Sequence, residues 1–335
     1  MIEVMEPGLW TTVQDMGRHG QYHLGVSPSG AADKYSYMIG NLLVGNPEHL
    51  AALEMTLIGG EYTFQKDSII ALTGAPMEAY LNNKPISFWE AHQVQEGDYL
   101  IIKECRLGVK SYLCIAGGIN VPDVMGSKST YELSQIGGFQ GRKLQAGDII
   151  DINEPLSDAM LQVGKTIPSE YIPDFPDFQE LRVTLGITGY LMDDMALKTF
   201  LNSEWTVSQE SNRVAYRYKG PKVSFSERPP FGAGNSFSNV VDIAYPIGAV
   251  LFTNEEELIV LQNDATTGGG FITIGTVISP DLDLIAQSRP LSKCRFIAVT
   301  IDQAIQARNE RKQKLEGLVE LLRKRGDSSL ASFSI

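Results

Sequence analysis

Residues 61–86 read EYTFQKDSIIALTGAPMEAYLNNKPI. Three short pieces, EYTF, SIIALTG and MEAYLNN, follow one another with only charged, glycine or proline breaks between them. Alternation with period two puts successive side chains on opposite faces of a strand, so the stretch predicts consecutive half-buried strands. LNNKP at 81–85 is the expected tight hairpin turn, because asparagine tolerates the positive φ that such turns require. The pattern recurs in DYLIIKE, VKSYLCIAGG, DIIDI, LRVTLGITG, VAYRYKG, LIVLQ and CRFIAVT, at the spacing expected of sandwiches and barrels. The fold class is therefore mainly β with a few helices.

Helical periodicity is confined to three places. AADKYSYMIGNLLVG (31–45) has apolar residues near helical spacing, with Ser29 or Gly30 as the expected cap. DDMALKTFL (193–201) starts with the acidic residues that suit a first helical turn. The third runs over 301–326, where Ile301, Ala304, Ile305, Leu315, Leu318, Val319 and Leu322 mark an apolar stripe and Gly326 is the expected stop.

The proline-rich run TIPSEYIPDFPDF (166–178) disfavours both helix and central strand and reads as a linker. It separates a first β subdomain at 1–165 from a second at 179–300, followed by the amphipathic helix at 301–326. LEMTLIGGEYTF in the first half and VAYRYKGPKVSF in the second both alternate, reach a glycine and close on phenylalanine. That echo points to two similar β-rich halves.

A chain of 335 residues, 43% hydrophobic and 20% charged, has ample material for a sizeable core. Its net charge of -12 argues against non-specific nucleic-acid binding, which needs a basic field to displace phosphate counterions. MIEVMEPGLW has neither the basic nor the long apolar region of a signal peptide, and no apolar stretch reaches the length of a membrane span. Cys105, Cys114 and Cys294 show no CxxC spacing, which fits a reducing cytoplasm. His19 and His23 are the one suggestive histidine pair, but Gly17 and Gly20 oppose the helix that would put them on one face, so no metal site is expected.

Four glycine-rich polar segments remain: 11–34, 116–148, 207–220 and 262–278. Glycine lets backbone N–H groups approach a ligand and form anion-binding concavities, and Arg18, Arg142 and Arg213 offer planar forks for a carboxylate or phosphate. The same glycines also suit turns and bulges, and the same arginines suit surface pairs; residue types alone leave both readings open. GGFQGR lacks the GxxxxGK[ST] frame, and no GxGxxG fingerprint, GxSxG elbow or HExxH pair is present.

PGLWTTVQDMGRHGQYHLGVSPSGAADK (7–34), NLLVGNPEHLAALEMTLIGG (41–60), SYLCIAGGINVPDVMGSKST (111–130) and IGGFQGRKLQAGD (136–148) resemble the carboxyltransferase-domain family once called allophanate hydrolase subunit 2. The resemblance covers nearly the whole chain. It implies two tandem cyclophilin-like β-barrel subdomains. For activity it implies a hydrolase role as the C-type subunit of a bacterial ATP-dependent 5-oxoprolinase. Such a polypeptide opens 5-oxoproline to L-glutamate together with a KipI-like B-type subunit and an A-type subunit, and is inactive alone. The alternatives it carries are a carboxyltransferase component of a urea-carboxylase-like enzyme, and a non-catalytic antagonist that binds a kinase-inhibitor homologue. ATP is implied at the level of the complex. Biotin is implied only under the carboxylase alternative, on another chain, because no Met-Lys-Met attachment site occurs here.

Residues matching family motifs are Gln14, Asp15, Arg18, Ser29, Asp33, Glu54, Arg142, Asn212, Arg213, Thr266, Thr267 and Gln287. The resemblance implies small-molecule substrate binding by Gln14, Asp15, Arg18, Ser29, Arg142, Asn212, Arg213, Thr266 and Gln287, with the backbones of Gly268 and Gly269. Asp33 and Glu54 are the acid or base candidates, and Thr267 joins the glycines in stabilising developing negative charge. The plainer alternatives are a helix cap for Asp33 and a buried structural pair for Glu54.

The second half departs from the pattern. Val214 and Ala215 stand where the family has Met-Gly, GAVLFTNEEE lacks the family's glutamine and prolines, and Asn263, Asp264 and Ala265 replace Asp-Arg-Gln before TTGG.

Overall fold

The computed structural model describes residues 1–156, 159–186, 188–225, 236–265 and 267–324. They form two compact units. The first holds Met1–His19, Ser29–Phe175 and the described residues from Lys312 onward; the second holds Gly20–Pro28 and Pro176–Arg311.

The strands of the first unit are β1 (Ile2–Glu6), β2 (Thr11–Gln14), β3 (Ala52–Thr56), β4 (Glu61–Phe64), β5 (Ser68–Gly74), β6 (Met77–Leu81), β7 (Lys84–Ile86), β8 (Ala91–Val94), β9 (Tyr99–Cys105), β10 (Lys110–Ile115), β11 (Ile119–Asn120) and β12 (Ile149–Ile152). One sheet has the order β11-β12-β1-β4-β9-β6-β7 and the other β2-β3-β10-β5-β8. The alternation sorts the side chains. Ile2, Val4, Tyr62 and Leu100 of the first sheet share a core with Val13, Leu53, Leu72 and Leu113 of the second. The opposite face of the five-stranded sheet, with Ala52, Ala71, Tyr112 and Cys114, lies in a second core with helix α1 (Lys34–Leu43). The expected hairpin is present: Leu81 pairs with Lys84, and Asn82 and Asn83 take φ of 49° and 62°.

α1 starts later than its expected cap. Ser29 and Gly30 lie upstream in left-handed backbone (φ 53° and 90°), and the carboxylate of Asp33 accepts from Ser36 N–H as the cap. Within 166–178, Ser169–Tyr171 form a 3-10 turn, and the Tyr35 hydroxyl donates to the Tyr171 carbonyl at 2.9 Å.

The strands of the second unit are β13 (Phe178–Leu185), β14 (Trp205–Val207), β15 (Ala215–Lys219), β16 (Asn239–Ala244), β17 (Ala249–Phe252), β18 (Glu257–Leu261), β19 (Gly268–Phe271), β20 (Thr273–Val277) and β21 (Lys293–Ala298). Seven of them form a closed barrel in the order β13-β20-β17-β18-β15-β14-β21, in which β13 and β21 pair in parallel. β16 and β19 form a separate two-stranded ribbon. The barrel interior is aromatic: Phe200 stacks on Phe296 with centroids 4.8 Å apart, and Trp205 meets Phe252 edge-on at 5.8 Å. Phe200 comes from α2 (Asp194–Asn202), capped by the carboxylate of Asp193, which accepts from Ala196 N–H. A short turn of helix, α3 (Leu282–Ala286), precedes β21. Gly20–Pro28 is bound to this unit by the Tyr22 hydroxyl donating to the Tyr245 carbonyl and the Ser27 hydroxyl donating to that of Asn263.

The carboxyl-terminal helix α4 runs over Ile301–Lys324. Only the later part of the expected stripe is buried: Leu315, Leu318, Val319 and Leu322 enter the α1 core of the first unit, whereas Ile301 and Ile305 are exposed. Gly326 lies outside the described residues.

Candidate functional site

In the first unit the five-stranded sheet builds the site. Register places Thr12 opposite Glu54, Glu54 opposite Tyr112 and Tyr112 opposite Thr73, a polar row across four strands. The turn before α1 closes over it. Ala31 N–H donates to the Asp15 carbonyl, Ala32 N–H to Glu54 Oε2 at 2.8 Å, and Asp33 N–H to Tyr112 Oη at 2.8 Å. Tyr112 Oη donates in turn to Glu54 Oε2 at 2.9 Å. Burial, with the Glu54 and Asp33 charges beside it, pushes the Tyr112 phenol well above its ordinary pKa, so it keeps its proton and remains a donor. Lys110 Nζ lies 3.4 Å from Glu54 Oε1 and donates to Thr56 Oγ1 at 2.8 Å.

Glu54 is thus placed as a buried structural pair and Asp33 as a helix cap: Asp33 receives both the N–H and the hydroxyl of Ser36. Asp15 ties two loops together. Its carboxylate accepts from Gly17 N–H, Ser127 Oγ, Lys128 N–H and Ser129 Oγ. Arg18 is 0% exposed; Nε donates to the Val124 carbonyl at 2.9 Å and Nη2 to that of Ser129 at 3.0 Å. A Cβ at Gly137 would stand 2.7 Å from Arg18 Nη2 and 2.0 Å from the Ser129 oxygen, so this loop admits only glycine beside the guanidinium.

Gln14 Nε2 donates to Thr12 Oγ1 and to the Thr130 carbonyl. Gln14 Oε1 and Ser29 Oγ, both on side chains 1% exposed, have no hydrogen-bond partner among the described residues. Arg142 sits apart from this network, forked onto Asp148 at 2.7 and 2.8 Å and packed over the Phe139 ring. Burial opposes the charge of Asp148, but the Arg142 guanidinium and the Gln145 N–H outweigh it and hold the carboxyl below its ordinary value.

The second unit treats its motif differently. Arg213 pairs with Asp264 through Nε and Nη2 at 3.0 and 3.2 Å. Asn212 is exposed and its Oδ1 accepts from Val214 and Ala215 N–H, an Asx turn. Gly268 and Gly269 are not an anion nest: they are extended, paired with Ala244 and Ile243 of β16. The Thr267 carbonyl accepts from Tyr245 N–H. Gln287 ends α3 and is buried. Thr266 lies outside the described residues.

His19 and His23 are exposed, and among the described residues no group of His, Cys, Asp and Glu could hold a metal ion. A groove of about 490 Å³ lies on the seven-stranded sheet, where Glu6, Ile58, Glu61, Tyr80 and Glu104 line it. None of the candidate substrate-binding or acid–base residues is among its lining residues.

The sequence reading missed Lys110 and Tyr112. Their signal is the alternation of VKSYLCIAGG, in which Lys110, Tyr112 and Cys114 share one face of a strand whose six residues are all buried. A lysine on a buried face needs an anion, and Glu54 on the neighbouring strand is that anion.

A family described as carboxyltransferase domain, subdomain A and B, matches residues 24–298. The C-type subunit of the 5-oxoprolinase of Escherichia coli K12 is 33% identical over 318 residues, 95% of this chain and 97% of that protein. The urea amidolyase of Lachancea kluyveri is 34% identical over 94% of this chain, which spans 18% of that protein. The crystal structure of Kluyveromyces lactis urea carboxylase matches 99% of this chain and 30% of its own, at 31% identity and a TM-score of 0.88. The chain belongs to the carboxyltransferase-domain family.

Proposed function

We propose that this member of the carboxyltransferase-domain family works as the C-type subunit of an ATP-dependent 5-oxoprolinase, opening 5-oxoproline to L-glutamate with A-type and B-type subunits and inactive alone. The observation that carries this reading is the two-way match to the 5-oxoprolinase polypeptide, 95% of this chain against 97% of the relative. Against urea amidolyase the chain accounts for 18% of the length.

The residues proposed for the substrate are those of the opening motif. The Ser29 hydroxyl can donate to the lactam carbonyl, and Gln14 Oε1 can accept from the lactam N–H. The chemical argument for an amide ligand is that these two, an acceptor and a donor of the opening motif, are among the buried polar atoms without a partner among the described residues, and a lactam offers one group for each. Asp15, Arg18, Asp33 and Glu54 support these two by fixing the backbone around them.

The three motif arginines and the glycine run do not fit a nucleoside triphosphate. Arg18 serves two backbone carbonyls, Arg142 and Arg213 serve carboxylates, and the glycine run is a paired strand. The ATP-consuming step is therefore assigned to the complex and no step is derived for it on this chain. A biotin-dependent urea-carboxylase-like role is the second reading, favoured by the TM-score of 0.88 to a urea carboxylase.

Co-expression with A-type and B-type subunits, followed by an assay of glutamate formed from 5-oxoproline and ATP, tests the proposal. Glutamate formation by the complex and none by the chain alone is expected. No turnover of 5-oxoproline, with carboxylation of urea when a biotin carrier and biotin carboxylase are supplied, would overturn it.

A further inference from the structure

Lys110 is 6% exposed, a degree of burial at which an ammonium is retained only with partners. It lies directly across from Thr56 in the β3–β10 register, one side-chain row from the Glu54–Tyr112 pair. Its contacts, Thr56 Oγ1 at 2.8 Å and Glu54 Oε1 at 3.4 Å, place it on the side of the carboxylate away from Ala32 and Tyr112. Glu54 is therefore divided: Oε1 faces the ammonium, and Oε2 accepts one backbone N–H and one phenol. An ammonium beside a buried carboxylate favours its charged form, and the charged form holds an N–H more strongly than a neutral carboxyl does. The N–H so held belongs to Ala32, in the turn that carries Ser29 in left-handed backbone at φ 53°. A serine in that conformation persists only where its surroundings enforce it.

We propose that Lys110 is a positioning residue of the motif: its ammonium fixes the Glu54 carboxylate, the carboxylate holds the Ser29–Asp33 turn, and the turn sets the Ser29 hydroxyl for a ligand carbonyl. The ligand half of this chain of contacts rests on the proposed function; the half from Lys110 to the turn does not.

Two measurements separate the halves. In hydrogen–deuterium exchange on the full chain, Lys110→Met speeds exchange of a peptide covering residues 29–36 at least tenfold. Peptides from β5 change less than threefold, and Lys110→Arg restores most of the protection. If Lys110→Met does not fold, the neutral pair Glu54→Gln with Lys110→Met replaces it, with the same local loss expected. In the reconstituted complex, Lys110→Met and Ser29→Ala each raise KM for 5-oxoproline about tenfold while kcat stays within threefold. Exchange that rises evenly over the first unit would make Lys110 a stability residue only and overturn the proposal. So would local loosening with an unchanged KM in an active complex. A wild-type complex that does not turn over 5-oxoproline refutes the functional reading, and the exchange result then decides the role of Lys110.

Discussion

The two units hold motifs of similar composition in opposite ways. In the first, Asp15, Arg18, Asp33 and Glu54 are buried and each binds groups from other elements, so the glycine loops are braced from several sides. In the second, Arg213 and Asp264 face each other as an ion pair, Asn212 serves its own turn, and the glycines lie in a two-stranded ribbon. A carboxylate with four donors around it acts as a hub; one that meets a single guanidinium acts as a clip.

The hub makes the largest expected effect. Asp15→Ala removes one acceptor from four donors, two of them backbone N–H groups, and should cost about 3–5 kcal/mol. Urea denaturation measures it, and a loss below that of Arg213→Ala would erase the distinction between hub and clip. Next comes Gly30→Ala. Gly30 has φ of 90°, and an added Cβ would stand 2.9 Å from the Gly17 backbone, so backbone must move; about 2–3 kcal/mol is expected, read from the same titration. Arg213→Ala should cost roughly 2 kcal/mol, and a double-mutant cycle with Asp264→Asn should assign most of it to the pair.

A smaller effect tests a clip within the first unit. The Asp148 carboxyl has its pKa lowered in the fold, so its stabilisation is present above the unfolded value of about 3.9 and is lost as pH falls through the lower folded value. Arg142→Ala should destabilise the chain by about 0.5–1 kcal/mol at pH 7, and the difference from wild type should shrink as pH falls below the unfolded value of about 3.9 and through the lower folded one. Thermal melts across that range check the sign. The smallest effect is Gly268→Ala: the nearest atom to an added Cβ is 3.4 Å away, in extended backbone, and a change within about 0.5 kcal/mol is expected. A large loss there would restore a special role for the TTGG glycines.

Much of the fold is legible because its signals are local. Alternation marks the strands, Asn82-Asn83 marks the hairpin, and apolar spacing marks α1, α2 and α4. The sequence left the cap of α1 open between Ser29 or Gly30 and Asp33, because a cap signal only requires a short polar residue near the start; the structure puts it at Asp33. The exposure of Ile301 and Ile305 was illegible for a different reason: a stripe shows which side of a helix is apolar, not how far the body beneath it extends. The contacts of the motif arginines were not legible. Arginine is equally suited to a ligand anion, a carboxylate and a carbonyl, so Arg18, Arg142 and Arg213 looked alike until their acceptors were in place.

By itself the sequence determined the β-rich class, the places where strands turn, the helices and the family, because periodicity and turn chemistry act over a few residues. Tertiary structure alone decided which polar groups meet. Asp15 finds Ser129 across 114 positions, Arg18 finds Val124 across 106, and Lys110 meets Glu54 only because β10 lies beside β3. It also decided that the glycine run is a strand, since glycine accepts either hand of backbone and takes its conformation from its partner. A hydrogen bond is short-ranged in space but indifferent to separation along the chain, so its partners become fixed only when the sheets assemble.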